Sequence, residues 1–152
     1  MEFDADEVTA YLHQHIPVTQ AMSIKALSES KEVLRLSAKL APNLNHQETA
    51  FGGSIASIGI LAGWTLIHLR LRGDEHHYKI VIQKSEIEFL LPIEDDFEAE
   101  CPYPAESVWL PFHAGLERKG RARIDLQSSV TVNNQVAAII KGTFVAKKLG
   151  SS

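Results

Sequence analysis

Apolar and polar residues alternate along this chain in two rhythms, and the switches between them divide it into elements. Val8, Tyr11, Leu12 and His15 recur at helical spacing. Asp4 is suited to cap that segment and Pro17 to close it, so a short amphipathic helix is predicted over 4–15. Met22, Ile24 and Ala26 then alternate, and Ser28-Glu29-Ser30-Lys31 turns the chain. Leu34, Leu36, Ala38 and Leu40 alternate against Val33, Arg35, Ser37 and Lys39, which predicts an antiparallel hairpin. Residues 41–46 break the pattern as a loop.

Phe51 to Arg70 is apolar almost all round and predicts a long helix buried on most sides. Gly52, Ala56, Gly59 and Gly63 form a small-residue stripe along it, which points to close approach of another backbone. Beyond it, Tyr78, Ile80 and Ile82 lie on one parity, and Ile87, Phe89 and Leu91 on the other. That switch implies a bulge near 83–85 or burial on both faces. Phe97, Ala99 and Cys101 alternate with Glu98 and Glu100 as a further strand. Residues 104–118 read as helical, kinked or divided at Pro111. Ala122, Ile124, Leu126, Val130 and Val132 make a half-buried strand, Asn133-Asn134 a two-residue turn, and Val136, Ala138, Ile140 and Phe144 the last strand. Runs of strands on either side of one buried helix indicate an α+β fold.

Composition narrows the class. With 152 residues, 45% hydrophobic and 22% charged, the chain suits one globular domain over 1–152 and excludes a disordered or collagenous chain. A net charge of -4 leaves no broad basic field, so nucleic acid is not expected as a partner. Cys101 stands alone, which removes an internal disulfide and any cysteine-based zinc site and suits a reducing, cytoplasmic location. Residues 1–7 are acidic without an apolar core, so no signal peptide is expected. The run 51–67 approaches membrane-span length. Four glycines, with Ser54, Ser57 and Thr65, dilute it, so a buried helix rather than a membrane span is expected.

The candidate chemistry lies where the loop enters the long helix, Asn43 to Ser54. Gly52 and Gly53 at a helix start allow a ligand close to the backbone, and the first amides of a helix lack internal partners. Those are the requirements of an oxyanion hole. Asn45 could orient a carbonyl or a water and His46 could accept a proton. The same residues also suit a plainer role: Asn43 and Asn45 capping a turn, His46 in solvent, and glycines permitting tight packing. His76-His77 form a weak metal candidate beside a solvated loop. Neither a metal nor a cofactor is expected. Arg118, Lys119, Arg121 and Arg123 form a basic run, suited to a solvated strand edge or to clamping phosphates.

Asn45-His46, then Ala50-Phe51-Gly52-Gly53-Ser54 running into Leu61-Ala62-Gly63-Trp64, resembles the thioesterase domain named for the C-terminal part of YiiD proteins, within the hotdog-fold superfamily. Lys119-Gly120-Arg121-Ala122-Arg123 and Gly142-Thr143-Phe144-Val145-Ala146 share the resemblance, which covers about 5–147. It implies a sheet wrapped around the long helix, a homodimer or homotetramer with sites at the interface, and acyl thioesters of coenzyme A or acyl carrier protein as substrates. Many relatives carry a carboxylate on the central helix about two turns past the glycine pair, and often His where Phe51 stands. Here Ile58-Gly59-Ile60-Leu61-Ala62 carries none, which leaves His46, with Glu48 second, as the local base. On this reading Gly52 and Gly53 hold the carbonyl, and Asn45 orients it or the water. Phe51, Ser54, Trp64 and Phe89 meet the acyl group, although Phe51, Trp64 and Phe89 suit core packing better, and Arg121 and Arg123 meet phosphates. The competing readings are a non-catalytic module that binds acyl-CoA or acyl carrier protein, and a dehydratase or hydratase on the same fold.

Overall fold

Residues 2–27, 32–73 and 77–150 are described in a computed structural model. The turn expected at 28–31, His76 and the last two residues lie outside the described residues. Asp4 caps α1 (Ala5–His15), its carboxylate accepting from the Asp6 and Glu7 amides at 2.9 and 3.1 Å. Pro17 ends α1 and opens a further helical turn, α2 (Val18–Ala21). The first strand therefore starts later than its alternation suggests: β1 is Lys25–Leu27. Ser23, at φ 56°, sits where the chain swings from α2 into β1. β1 pairs antiparallel with β2 (Val33–Ala38), as the alternation predicts.

After a 3-10 turn at Ala41–Asn43 and a loop comes α3 (Gly52–Leu71). There follow β3 (Tyr78–Phe89), β4 (Phe97–Pro102), α4 (Glu106–Lys119), β5 (Arg121–Val132) and β6 (Gln135–Lys148). The strands form one antiparallel sheet in the order β1-β2-β4-β5-β6-β3. α3 packs against β2 through β6, the α+β hotdog arrangement that the resemblance implies. It is long and apolar enough to cross a membrane, and most of it is buried inside the fold.

The parity switch in β3 is a bulge. Register with β6 slips between Ile82 and Lys84, so Ser85, Ile87 and Phe89 rejoin the helix-facing side occupied by Ile80 and Ile82. Asn133 and Asn134 take φ of 50° and 63°, which matches the twist of the strands they join. Two expectations are corrected. Pro111 does not divide the helix: α4 is continuous around it. Pro111 is exposed, so the carbonyl it leaves unpaired can meet water, while buried Trp109, Phe112 and Leu116 hold both halves on the core. The small-residue stripe of α3 does not admit a backbone. It admits side chains of β6: a Cβ on Gly59 would lie 2.5 Å from Ile140 Cδ1, and one on Gly63 2.8 Å from the Phe144 ring.

At the C-terminal half of α3, rings stack outward from Trp64 through His68 and Tyr11 to His15, with centroids 5.0, 4.5 and 4.2 Å apart. Burial pushes His68 below its usual 6.5, helped by the charges of Arg72 and His15.

Two outcomes follow. Gly59→Ala gains helix propensity of up to about 1 kcal/mol, yet the stiff, buried Ile140 leaves no room for the methyl. A lower urea midpoint is expected for Gly59→Ala, against little change for Gly73→Ala, where a Cβ meets nothing within 4 Å. An unchanged or raised midpoint for Gly59→Ala would show that β6 yields. The folded state also disfavours protonated His68. Stability from this group is therefore full above the unfolded value, near 6.5, and is lost as pH falls through it toward the lowered folded value. Denaturation midpoints at pH 7.5 and 5 should differ less in His68→Phe than in the parent.

Candidate functional site

The loop before α3 is built on asparagines. Asn43 is buried, and its amide donates to the carbonyls of Met22 and Lys39 at 2.9 and 2.7 Å. Its main-chain carbonyl accepts the Phe51 amide at 2.7 Å. One residue thus ties the end of α2, the end of β2 and the start of α3 together. Leu44 bridges Ala50, and between them residues 45–49 fold back as a tight hairpin. Asn45 holds it: Oδ1 accepts the Gln47 and Thr49 amides at 2.8 and 3.1 Å, and Nδ2 donates to Thr49 Oγ1 at 2.8 Å. Glu48 takes φ 64° at the reversal, and the Ala50 amide donates to Ile93 O at 2.8 Å. His46, Gln47 and Glu48 project from the tip into solvent.

Phe51 is the N-cap of α3 and offers no side-chain cap. Its carbonyl takes the Ser54 and Ile55 amides at 2.9 and 3.1 Å. The Gly52 and Gly53 amides meet no partner among the described residues, as the first amides of a helix must unless something caps them. Two exposed aromatic rings frame them. A Cβ on Gly52 would touch the Phe89 ring at 3.7 Å, and one on Gly53 would fall 2.4 Å from Phe51 Cε2. Phe51 is 57% and Phe89 55% exposed, unusual for large apolar rings beside bare amides.

A cleft of about 440 Å³ begins one turn along the same helix. Met22 and Ile24 wall one side, Ile60, Leu61 and Trp64 form the helix face, and Ile80 and Ile82 close the other side. Trp64 is fixed by its indole N–H, which donates to Ile80 O at 3.0 Å. Ser57 is the polar group at the near end, and its hydroxyl donates to Gly53 O at 2.7 Å. That bond commits its proton to the helix backbone, and no described acid–base pair activates it.

The fold thus gathers Phe51, Gly52, Gly53 and Phe89 at one point, with Asn45 in the loop beneath and Trp64 along the cleft. Half-buried Ser54 lies just inside the helix. Arg121 and Arg123 stand apart, exposed on the sheet face turned away from α3. Sequence reasoning missed the cleft walls from α2, from Met22 and Ile24 just before β1, and from β3, because distant segments supply them and each reads alone as ordinary core. No group of three or more His, Cys, Asp or Glu among the described residues could hold a metal. Cys101 is buried, and burial pushes its thiol up to about 11, which keeps it an unreactive thiol.

The family model described as "Putative thioesterase (yiiD_Cterm)" matches residues 5–148. A protein of unknown function from Chlorobaculum tepidum TLS is 25% identical, with a TM-score of 0.86 over 94% of this chain and 93% of that one. A putative thioesterase from Shewanella oneidensis is 28% identical, with a TM-score of 0.83 over 94% of this chain and 96% of that one. A Pseudomonas aeruginosa protein at 18% identity shares the fold, with a TM-score of 0.72 over 97% of this chain and 98% of that one.

Proposed function

Because the chain belongs to the YiiD C-terminal thioesterase family, we propose that it hydrolyses acyl thioesters of coenzyme A or acyl carrier protein at the start of α3. The observation that supports this reading is the pair of unpartnered amides at Gly52 and Gly53, set beside an apolar cleft on the same helix. The thioester carbonyl oxygen accepts from those amides, which stabilise the charge it gains as water attacks. The acyl chain lies along Ile60, Leu61 and Trp64, and Phe51 and Phe89 flank the thioester. The attacking water gives its proton to a base, for which His46 on the exposed loop tip is the local candidate and Glu48 the second. The carbon–sulfur bond then breaks, and the thiolate leaves and is reprotonated. Asn45 positions the loop that carries His46, since its side chain is committed to Gln47 and Thr49. A second reading, a module that binds acyl thioesters without cleaving them, is favoured by one observation: α3 carries no Asp or Glu in its 20 residues.

Thiol release from a panel of acyl-CoAs separates the two. Hydrolysis by the parent is expected, with His46→Ala slowed by roughly 10²–10⁴-fold. Gly53→Val should be folded, because the exposed Phe51 ring can swing away, and its side chain should bar the carbonyl from the two amides, a loss comparable to that of one oxyanion donor, about 2.7–4 kcal/mol of barrier. A fully active Gly53→Val would remove the oxyanion role, and saturable binding without thiol release would establish the module. The exposed Phe89, Leu90 and Val136 leave apolar surface beside the site and support a homodimer or homotetramer. Light scattering should give a multiple of 16.8 kDa; a monomer mass at micromolar concentration would overturn the assembly.

A further inference from the structure

The sheet face turned away from α3 carries a row of like charges that the hydrolysis chemistry does not use. Arg121 on β5 lies directly opposite Lys147 on β6, and Lys147 directly opposite Lys79 on β3. Arg123 stands two residues along β5 from Arg121, on the same face. All four are exposed, and none forms an ion pair with a described residue. Nearby acids are engaged elsewhere: Asp125, two residues beyond Arg123, accepts the Thr143 hydroxyl at 2.7 Å, and Glu117 meets Lys148 at 3.6 Å. Like charges directly opposite across strands are destabilising. The chain as a whole is acidic, at -4, so the row is not a by-product of a basic composition.

We propose that this row docks a protein presenting a line of carboxylates along one helix, namely an acidic acyl-carrier protein delivering its thioester; the identity of the partner rests on the thioesterase reading. The three opposed cations lie in a line across the strands, about 4.8 Å apart. Carboxylates on successive turns of a helix repeat every 5.4 Å or so, close to that spacing. A single phosphate is held best by donors that converge on it, whereas these are spread along a line of about 10 Å.

The row also has a defined place relative to the glycine pair. Lys79 is ten residues before Phe89 on β3 (79 to 89), about 33 Å at strand rise, and a Cβ on Gly52 would lie 3.7 Å from the Phe89 ring. In one protomer the two therefore sit at opposite ends of the sheet. β3 is an edge strand. An antiparallel pairing of two such edges, centred near the middle of β3, would set one protomer's row beside the other's Phe89, and the carrier's arm would pass over the end of the sheet to the glycine amides.

The test is binding of a holo acyl-carrier protein to the full chain, in the parent and in Lys147→Glu, at low and high salt. The parent is expected to bind at low salt and to weaken as salt rises, and Lys147→Glu to bind about tenfold or more weakly. Lys147→Glu also places a carboxylate between Arg121 and Lys79, so its thermal midpoint should rise, which separates lost docking from lost folding. No binding by the parent, or equal binding by the folded variant, overturns the proposal. So does an equal weakening of free coenzyme A, which would make the row a phosphate site. Acyl-CoA hydrolysis without carrier binding would sink the docking row and leave the thioesterase reading intact. Carrier binding through Lys147 without any hydrolysis would do the reverse.

Discussion

The contact on which this fold depends is the insertion of Ile140 and Phe144 into the flank of α3 at Gly59 and Gly63. Each glycine costs the helix up to about 1 kcal/mol relative to alanine. Each admits a large side chain that is almost wholly buried, and burying such a side chain returns about 1.5–3 kcal/mol. The exchange also fixes geometry. With no Cβ at those positions, the helix lies close on β6 and cannot slide along it without driving a ring or a branched side chain into its own backbone. The depth and register of α3 follow, and with them the place where the helix begins.

That starting place is where the candidate site gathers. Once α3 is seated on β6, its first turn falls beside the end of β3, and Phe89 meets Gly52. Asn43 completes the arrangement from the other side by linking three chain segments through its amide and its carbonyl. Bare amides survive there because the residue before them, Phe51, has no side-chain acceptor to cap them. A Ser, Thr or Asp at the same position would supply one. The candidate site is thus an uncapped helix start held open by its neighbours, and an apolar cleft continues from it along the same helix.

The two faces of the sheet divide the work. The helix-facing side carries Ile124, Leu126, Val130, Ile140 and Phe144, all buried. The opposite side of the same strands carries charges, with Glu86 paired and Asp125 hydrogen-bonded nearer the bulge, and Lys79, Lys147, Arg121 and Arg123 without an ion pair to a described residue at the far end. Period-two alternation assigns residues to faces, and strand pairing decides which of them become neighbours.

Much of this was legible in the sequence because it rests on local rules. Helical and strand periods marked α1, α3, β2, β5 and β6, Asp4 marked a cap, Asn133-Asn134 a turn, and the parity switch near Gln83 a bulge. The glycine pair after Asn45-His46 marked the loop-to-helix junction and, through the resemblance, the family. The tertiary structure alone decided what those marks meant. A stripe of glycines reads the same whether a backbone or a side chain fills it, and only the docked sheet shows that Ile140 and Phe144 do. Asn45 reads equally as a substrate ligand or a loop staple until its partners, Gln47 and Thr49, are in place. Lys79 and Lys147 are nearly seventy positions apart, and no local pattern joins them. Pairing across β3, β6 and β5 makes them one row, because strand register is set by burying the opposite face, and the charges are carried to wherever that burial puts them.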